Sequence, residues 1–252
     1  MRAKRREIQD LKEGSGRWLK WTADLVYPRR CPFCDEVLTF GGPLICEDCR
    51  KRVGYVGESY CMKCGRLLSG AAQEYCDDCT HTGHSFDRGR SLYVYDDLTR
   101  ASIAGFKYNG RKEYAEYYAE DIIRHLGAFI EHCRPDILIP VPISEKRRKK
   151  RGYNQSELIA DRISERTGIP VSSDAVIRIK DTRPMKELSR EERVKNLKGA
   201  FKIGCVDVQW KNALVVDDIY TTGSTVDAVA FLLRKVGIDK VFFIALSSGA
   251  PV

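Results

Sequence analysis

The sequence predicts an α/β protein built around a parallel sheet, with a smaller cysteine-rich module ahead of it. Three observations support this class: strand-like and helix-like apolar patterns alternate from about residue 87 onward, the run 213–216 is short, apolar and partly β-branched, and four Cys-x-x-Cys pairs precede residue 80. Of the 252 residues, 43% are hydrophobic, which is enough for a core of ordinary size. We therefore expect two unequal domains.

The first segment, residues 1–28, is rich in Lys and Arg and predicts a short docking helix. Its large apolar side chains recur at roughly helical intervals before Pro28; they are Trp18, Leu19, Trp21, Leu25 and Val26. A basic helix with tryptophans can also lie on a membrane or a partner, but packing against its own chain is the commoner outcome. No apolar run approaches the ~20 residues of a membrane helix, and no N-terminal stretch has the features of a secretory signal. We therefore expect a cytoplasmic protein without a membrane span.

Eight of the ten cysteines form four Cys-x-x-Cys pairs, with eleven residues between each pair and the next. They are Cys31, Cys34, Cys46, Cys49, Cys61, Cys64, Cys76 and Cys79. Without a secretory signal the compartment should be reducing, so tetrahedral zinc on four thiolates is favoured over a disulfide framework. A redox role is the alternative, and four pairs in one short segment count against it. Residues 29–84 are therefore predicted to form a double zinc ribbon that holds two zinc ions.

Two ways of sharing these cysteines satisfy the spacing. Sequential pairing, with one ion on 31–49 and one on 61–79, is favoured because the two halves repeat each other in spacing and in the apolar residue before the second pair, Ile45 or Tyr75. Interleaved pairing remains open. Sites of four cysteines leave no position for water, so both ions should be structural, and the module should unfold without them. The residues left over are interpreted as packed thiols or surface histidines; they are Cys133, Cys205, His81 and His84.

The remaining chain, residues 87–252, predicts the parallel α/β domain. Strands are predicted at 91–95, 137–141 and 241–246, in addition to the run 213–216. Helices are predicted at 98–106, 112–130 and 155–167, and again after residue 225. The last strand is expected to close the sheet.

Residues 213–225 carry the strongest functional signal. Asp217 and Asp218 fall at the predicted carboxyl end of a buried strand, where open α/β sheets hold their ligands. The turn that follows begins a predicted helix and consists of Thr221, Thr222, Gly223, Ser224 and Thr225. Free backbone N–H groups and the positive end of the helix dipole favour a phosphate there. The two acids would repel phosphate, but they can accept hydrogen bonds from vicinal ribose hydroxyls and stabilise a cationic sugar.

This segment resembles the motif that binds 5-phosphoribosyl-1-pyrophosphate (PRPP) in type I phosphoribosyltransferases. Further motifs lie within residues 25–248 and are Lys107-Tyr108, Pro140-Val141-Pro142, Arg151-Gly152-Tyr153-Asn154-Gln155, Arg193, Asn196 and Gly199-Ala200-Phe201. Together with the cysteine-rich module, they resemble the ComF family in particular, whose members join a double zinc ribbon to an amidophosphoribosyltransferase-like domain and are linked to competence. The resemblance implies a type I phosphoribosyltransferase fold for residues 87–252.

The resemblance also implies roles for single residues. The turn 221–225 would bind the 5′-phosphate of PRPP, and the catalytic residues would be Asp217, Asp218 and Arg193. Pyrophosphate would bind after the first core strand and beneath a mobile loop at 182–193; the residues involved would be Pro140, Val141, Arg151, Lys186 and Arg193. Met185 stands where the family pattern has Gln, so a polar contact of the family would be missing, and this counts against catalytic turnover. Mg²⁺ would bridge pyrophosphate and ribose hydroxyls and reach Asp217 or Asp218 directly or through water.

Two functions follow from these features. The first is phosphoribosyl transfer with release of pyrophosphate, in a protein with a role in DNA uptake and natural transformation. The second is non-catalytic binding of single-stranded DNA by a competence protein that retains the PRPP pocket. The six consecutive basic residues 146–151 are either a solvated loop or a site for pyrophosphate or a nucleic-acid backbone, and Tyr153 offers a stacking ring. The net charge of +8 favours anionic partners without choosing among them, and other competence proteins are alternative partners.

Overall fold

A computed structural model describes residues 28–68, 70, 73–182, 192, 196–197 and 199–249 of the protein. The chain divides into two compact units, Met1–Arg52 and Val53–Val252. The predicted docking helix lies outside the described residues, apart from Pro28. Because the division falls after Arg52, the second set of cysteines belongs to the same unit as the sheet. The domain boundaries drawn from the sequence at residues 28, 84 and 87 stay predictions.

The described part of the first unit is a small ribbon around four cysteines. An antiparallel bridge joins Arg30 to Val37, and helix α1, Glu47–Arg52, follows directly after Cys46. Phe33 and Ile45 are buried. The described residues of this unit thus bury few large apolar side chains, and small modules of this kind depend on a metal or a disulfide.

The second unit begins with a ribbon of the same design. An antiparallel bridge joins Tyr60 to Leu67, and helix α2, Asp77–His81, follows Cys76. Unlike an isolated ribbon, this one shares the main apolar core of the sheet. The residues that it shares with this core include Cys61, Cys64, Leu68 and Cys76, which pack with Phe86 and Tyr220.

The rest of the second unit alternates strands and helices. In chain order these are β1 (Arg88–Val94), α3 (Asp97–Tyr108), α4 (Tyr114–Cys133), β2 (Ile137–Pro140), α5 (Glu145–Arg151), α6 (Gln155–Thr167), β3 (Val176–Arg178), β4 (Phe201–Ile203), β5 (Asn212–Tyr220), α7 (Ser224–Lys235) and β6 (Lys240–Ser248). Strands β3 and β4 form a separate antiparallel pair. None of the described helices has both the length and the apolar character needed to cross a membrane.

Four strands form a parallel sheet in the order β1, β6, β5, β2. Residues 213–216 of β5 are all buried, as are residues 243–248 of β6. A parallel sheet that is covered on both faces needs such continuous apolar runs in its central strands. The prediction of a parallel α/β core is therefore confirmed. The last strand completes the sheet from its interior, between β1 and β5, and not at an edge.

Strand β5 continues beyond the two acids. The pairing of Asp217 with Ala245 and of Tyr220 with Ser248 carries the ladder to Tyr220, so the predicted strand end was too early. The Tyr220 ring stacks on the Phe243 ring with their centroids 4.8 Å apart. Strand pairing thus fixes the backbone of both acids, and ring stacking fixes the residue where the strand ends.

The basic run 146–151 lies in a helix, which excludes the solvated loop that was one of its two interpretations. Ser144 caps α5 by accepting a hydrogen bond from the Arg147 N–H at 3.4 Å, and Gly152 ends the helix with a φ of 80°. Basic side chains in the last helical turn are favoured by the helix dipole. The two end signals outweigh the mutual repulsion of the basic residues, all of which remain at least partly exposed.

Candidate functional site

The cysteines of the Cys-x-x-Cys pairs form two separate clusters. One cluster contains Cys31, Cys34, Cys46 and Cys49, and the other contains Cys61, Cys64, Cys76 and Cys79. The structure therefore groups them sequentially and excludes interleaved pairing. Four sulfurs that each lie ~2.3 Å from a tetrahedral zinc ion are ~3.8 Å apart. The sulfurs of Cys34 and Cys46 lie 3.6 Å apart and those of Cys64 and Cys76 lie 3.7 Å apart, so both clusters fit zinc.

Residues 221–225, which we call the β5–α7 turn, form one side of a small pocket. The other lining residues are Asp217, Ile219, Tyr220 and Val226. Gly223 stands at the start of α7 with a φ of 77°, and no described side chain caps this helix. The first N–H group bonded within the protein after the turn is that of Asp227, which donates to the Gly223 carbonyl at 2.7 Å. Within the described part of the chain the N–H groups of residues 222–225 are thus unbonded and can bind an anion.

Glycine is the only residue that fits at position 223. A β-carbon there would lie 2.7 Å from the Tyr220 hydroxyl oxygen and 3.2 Å from Cε1 of His84. The positive φ adds a second restriction against other residues. The hydroxyl oxygens of Thr222 and Ser224 are 2.8 Å apart and add donors to the same turn. The turn therefore offers backbone and hydroxyl donors, and phosphate binding by residues 221–225 stays a prediction.

Both acids precede this turn; Asp217 lines the pocket, and the charge of Asp218 acts on it. The Lys107 ammonium group donates to Oδ1 of Asp218 at 2.8 Å, and Oδ1 of Asp217 accepts the Asp218 N–H at 2.8 Å. Burial raises the pKa of Asp217 to about 7, and the charge of Asp218 adds to this rise. The Asp218 N–H and the charges of Lys107 and Arg178 act in the opposite direction. A carboxyl group that titrates near neutral pH is well placed to gain a cation or hydrogen-bond donors from a ligand.

The segment around Tyr153 positions Lys107. The Tyr153 hydroxyl and the Gln155 side-chain amide both donate to the Phe106 carbonyl, the second at 3.4 Å. Because Phe106 directly precedes Lys107, these bonds fix the end of α3 from which Lys107 reaches Asp218. The Arg-Gly-Tyr-Asn-Gln motif thus acts on the site through backbone contacts.

Two residues predicted to bind pyrophosphate lack the donors for it. The Val141 N–H donates to the Val216 carbonyl at 2.9 Å, and Pro140 has no N–H. Neither residue can therefore offer a backbone N–H to pyrophosphate. The reason is that hydrogen bonding between β2 and β5 runs to the end of β2. The Val141 carbonyl is also bonded, since it accepts from the Asn154 side chain at 3.0 Å.

Arg151 lies at the same end of α3 as Lys107. It donates to the Gln155 side chain at 2.8 Å, and its guanidinium lies 5.1 Å from the centre of the Tyr108 ring. Tyr108 follows Lys107 and is 65% exposed. The predicted pyrophosphate contact of Arg151 stays a prediction, and so do those of Lys186 and Arg193, which lie outside the described residues.

A further cation near the acids, Arg178, was not predicted from the sequence. Its charge acts on Asp217, and burial together with the neighbouring charge of Arg147 lowers its pKa to about 10. It donates to the hydroxyl of Thr182, at the start of the predicted mobile loop. Arg178 lies in an alternating Ile-Arg-Ile-Lys run, which is equally typical of a surface strand.

Three other interpretations from the sequence are wrong. Tyr153 is only 5% exposed, because its hydroxyl is bonded to a buried carbonyl, so it cannot stack on a base. The His84 side chain is fully buried, because its Nδ1 lies 2.5 Å from a carboxylate oxygen of Asp227. Cys205 is exposed, whereas Cys133 is packed as predicted.

Known proteins that are similar to this chain include a zinc ribbon family and several competence or DNA utilization proteins. Residues 22–80 match the double zinc ribbon domain. The chain is 37% identical to competence protein F of Haemophilus influenzae over 109 residues, which are 42% of this chain and 48% of that protein. It is 38% identical to the DNA utilization protein YhgH of Escherichia coli over 107 residues, 42% and 47% of the two chains. It is 27% identical to competence protein ComFC of Bacillus subtilis over 153 residues, 60% and 59% of the two chains.

The chain spans about half the length of the first of these curated relatives. Among solved structures, a purine phosphoribosyltransferase from Pyrococcus horikoshii is similar over 52% of this chain and 73% of its own, with 19% identity and a TM-score of 0.35. The ribbon match and the strand pairing define a double zinc ribbon protein with a parallel α/β core, and its two cysteine clusters are structural zinc sites. Over these stretches the chain is similar to competence-associated proteins, among them competence protein F and ComFC.

Proposed function

We propose that this protein binds PRPP together with Mg²⁺ and transfers the phosphoribosyl group to an acceptor with release of pyrophosphate. The supporting observation is the set of unbonded N–H groups in the described β5–α7 turn, which begins three residues after two carboxylates, of which Asp218 is paired with Lys107. PRPP carries a phosphate monoester and a vicinal diol, and these are the two groups that such a turn and such acids bind. The names of the relatives refer to competence and DNA utilization, which supports a role in DNA uptake.

The chemistry of the reaction suits these residues. The bond between ribose C1 and a pyrophosphate oxygen breaks, pyrophosphate leaves with the electron pair, and a lone pair of the acceptor forms the new bond to C1. The sugar carries positive charge in the transition state, as it does in glycoside hydrolysis. Asp217 and Asp218 would accept hydrogen bonds from the ribose hydroxyls and stabilise this charge. Arg178 and Arg147 would offset the negative charge of pyrophosphate, together with Lys186 and Arg193 of the predicted loop.

The donors present fit magnesium. Mg²⁺ prefers oxygen ligands and keeps several water molecules, and Asp217 and Asp218 offer partly exposed carboxylate oxygens. These two residues would hold the ion with the substrate, directly or through water. When bound, it supplies neutralisation of the leaving pyrophosphate.

Isothermal titration calorimetry of the full chain with PRPP and magnesium chloride tests the proposal. We expect saturable binding that is lost in Asp217→Ala and weakened in Gly223→Ala. Asp207→Asn, a change at an exposed carboxylate before β5, is the control and should bind as the wild type does. Pyrophosphate release with nucleobases, ammonia or glutamine as acceptors then measures turnover. A folded, zinc-loaded wild type that does not bind PRPP would refute the proposal.

A second function, non-catalytic binding of single-stranded DNA, is favoured by one specific observation. The basic residues of α5 remain at least partly exposed, and the last of them, Arg151, lies over the exposed ring of Tyr108. Exposed aromatic rings beside cations stack bases while the cations bind phosphates. In this second function, the exposed Tyr108 ring would stack on a base in place of the buried Tyr153 ring.

Fluorescence anisotropy with a labelled oligothymidine separates the two functions. If the protein binds single strands, affinity should fall steeply between about 50 mM and 200 mM salt. It should also fall in Tyr108→Ala and in a Lys149→Gln, Lys150→Gln variant, and stay unchanged in Asp217→Asn. Tyr75→Ala, at an exposed tyrosine of the second ribbon, is the matched control. Equal DNA affinity in the Tyr108 and Tyr75 variants would exclude the contact at Tyr108.

A further inference from the structure

The second ribbon contacts the β5–α7 turn through Arg66, two positions after the zinc ligand Cys64. Nη2 of Arg66 donates to the Thr221 carbonyl, and Nη1 forms an ion pair with Asp78 at 3.2 Å. The guanidinium also lies 5.9 Å from the centre of the Tyr220 ring. Arg66 is only 5% exposed, so its charge is held inside the protein at the first carbonyl of the turn.

The residues that follow the second ribbon hold the other end of the turn. Asp227, in the first turn of α7, has one carboxylate oxygen 2.5 Å from Nδ1 of His84, and the other accepts the Ser85 N–H at 2.8 Å. An acid near a helix start competes with a bound phosphate for the positive end of the dipole. These contacts direct the Asp227 carboxylate toward the ribbon. The His84 ring in turn packs on the Phe86 ring, with centroids 4.7 Å apart.

Zinc ligands fix both members of the Arg66–Asp78 ion pair. Arg66 follows Cys64, and Asp78 lies on α2 between Cys76 and Cys79. Ribbons of this size are folded with zinc and unfolded without it. Loss of zinc from the second cluster would therefore free the Thr221 carbonyl.

We propose that Arg66 is a positioning residue for the phosphate end of PRPP, and that phosphate binding at the β5–α7 turn depends on zinc in the second cluster. The inference rests on the proposed function for the identity of the ligand. It gives the second ribbon a part in the PRPP site in addition to its structural role.

The bond to the Thr221 carbonyl explains how Arg66 acts. A carbonyl in this turn that is free to rotate can direct the negative end of its dipole toward the phosphate. The guanidinium fixes the carbonyl on the ribbon side, so the N–H groups that follow remain on the ligand side. Hydrogen bonds from charged donors are among the stronger ones in proteins, so their loss should lower phosphate affinity about tenfold or more.

Arg66→Gln tests the positioning role with two independent measurements, hydrogen exchange at residues 221–226 and calorimetric affinity for PRPP or ribose 5-phosphate. We expect unchanged zinc content, faster exchange at the turn and an affinity loss of about tenfold or more. Arg66→Lys keeps the charge and a donor, so it should recover part of the affinity. Arg88→Gln is the matched control, since Arg88 donates to the Met62 carbonyl of the same ribbon at 3.2 Å but does not contact the turn in the described structure. It should change neither measurement.

Variants of the two clusters test the dependence on zinc. Cys61→Ser with Cys64→Ser should lose one zinc ion and the affinity for PRPP, whereas Cys31→Ser with Cys34→Ser should lose one zinc ion and keep the affinity. Unchanged affinity in the first variant, or unchanged exchange and affinity in Arg66→Gln, overturns the inference. If the first variant does not fold, Arg66→Gln alone decides. If the wild type binds neither ligand, the proposed function fails, and the exchange comparison still decides whether Arg66 positions the turn.

Discussion

Replacing Asp217 by Asn should change how stability depends on pH. In the folded protein the pKa of Asp217 is raised from 3.8 to about 7, first by burial and then by the charge of Asp218. The folded state therefore holds this proton more tightly than the unfolded chain does. The stability that protonated Asp217 contributes is complete below about pH 4 and is lost as the pH rises toward about 7. Asn has no proton to lose, so the variant should lack this decline.

The magnitude follows from the two pKa values. A carboxyl pKa of about 7 in place of 3.8 corresponds to ~4 kcal/mol of unfolding free energy, at 1.36 kcal/mol for each pKa unit. Asp217 is partly exposed, so water relaxes part of this cost and we expect ~2–4 kcal/mol. The amide oxygen of Asn can still accept the Asp218 N–H, which keeps the local geometry.

Urea unfolding of the zinc-loaded wild type and of Asp217→Asn, at several pH values between about 5 and 8, measures the effect. The free energy of unfolding of the variant minus that of the wild type should grow with pH and level off above about 7. Asp218→Asn is the control. Removing the neighbouring charge should lower the pKa of Asp217, so the loss of stability with rising pH should be complete at a lower pH than in the wild type. A difference that stays constant across this range would mean that Asp217 is not protonated in the fold, and the reasoning would fail.

Three further outcomes can be measured on the same protein. Gly89→Ala places a β-carbon 2.0 Å from Cε1 of Phe243 and should cost at least ~3 kcal/mol in urea unfolding, whereas Gly127→Ala on α4, where a β-carbon has no neighbour within 4 Å, should gain up to ~1 kcal/mol. Equal stability of the two variants would contradict this. Lys107→Met leaves Asp218 without its partner and should lower PRPP affinity in calorimetry about tenfold, and unchanged affinity would remove Lys107 from the site. Chelation of both zinc ions should lower the unfolding temperature measured by circular dichroism, with recovery on adding zinc, and a chelated protein that unfolds at the same temperature would contradict a structural role.

The parts of the fold that could be predicted are those that local pattern determines. Residues 213–216 form a continuous apolar run, and a strand with that pattern can only be central. The extension of β5 to Tyr220 could not be predicted in this way, because Asp217 and Asp218 look like a strand end. Pairing with Ala245 and Ser248 on β6 continues the ladder past them, and that pairing is not visible in the β5 sequence.

In the candidate site, too, local features could be predicted and contacts between distant residues could not. The acids and the turn are contiguous, so the sequence predicted them together. The cations that act on them come from distant positions: 111 residues separate Lys107 from Asp218, and 155 separate Arg66 from Thr221. No periodicity or spacing links such pairs. The burial of His84 could not be predicted for the same reason, because its carboxylate partner Asp227 lies 143 residues further along the chain.

The two ribbons show how a sequence repeat can hide a difference in role. Two residues after the first cysteine pair stands Glu36, and at the equivalent position of the second ribbon stands Arg66, so the first ribbon carries the opposite charge where the second contacts the turn. Gly65 of the second ribbon has no room for a β-carbon, which would lie 2.4 Å from the backbone of Arg90 on β1, whereas the first ribbon has Asp35 at this position. Equal cysteine spacing therefore accounts for equal zinc binding. The two ribbons differ at the two residues that follow their first cysteine pair. Gly65 lets the second ribbon approach β1, and Arg66 lets it contact the β5–α7 turn.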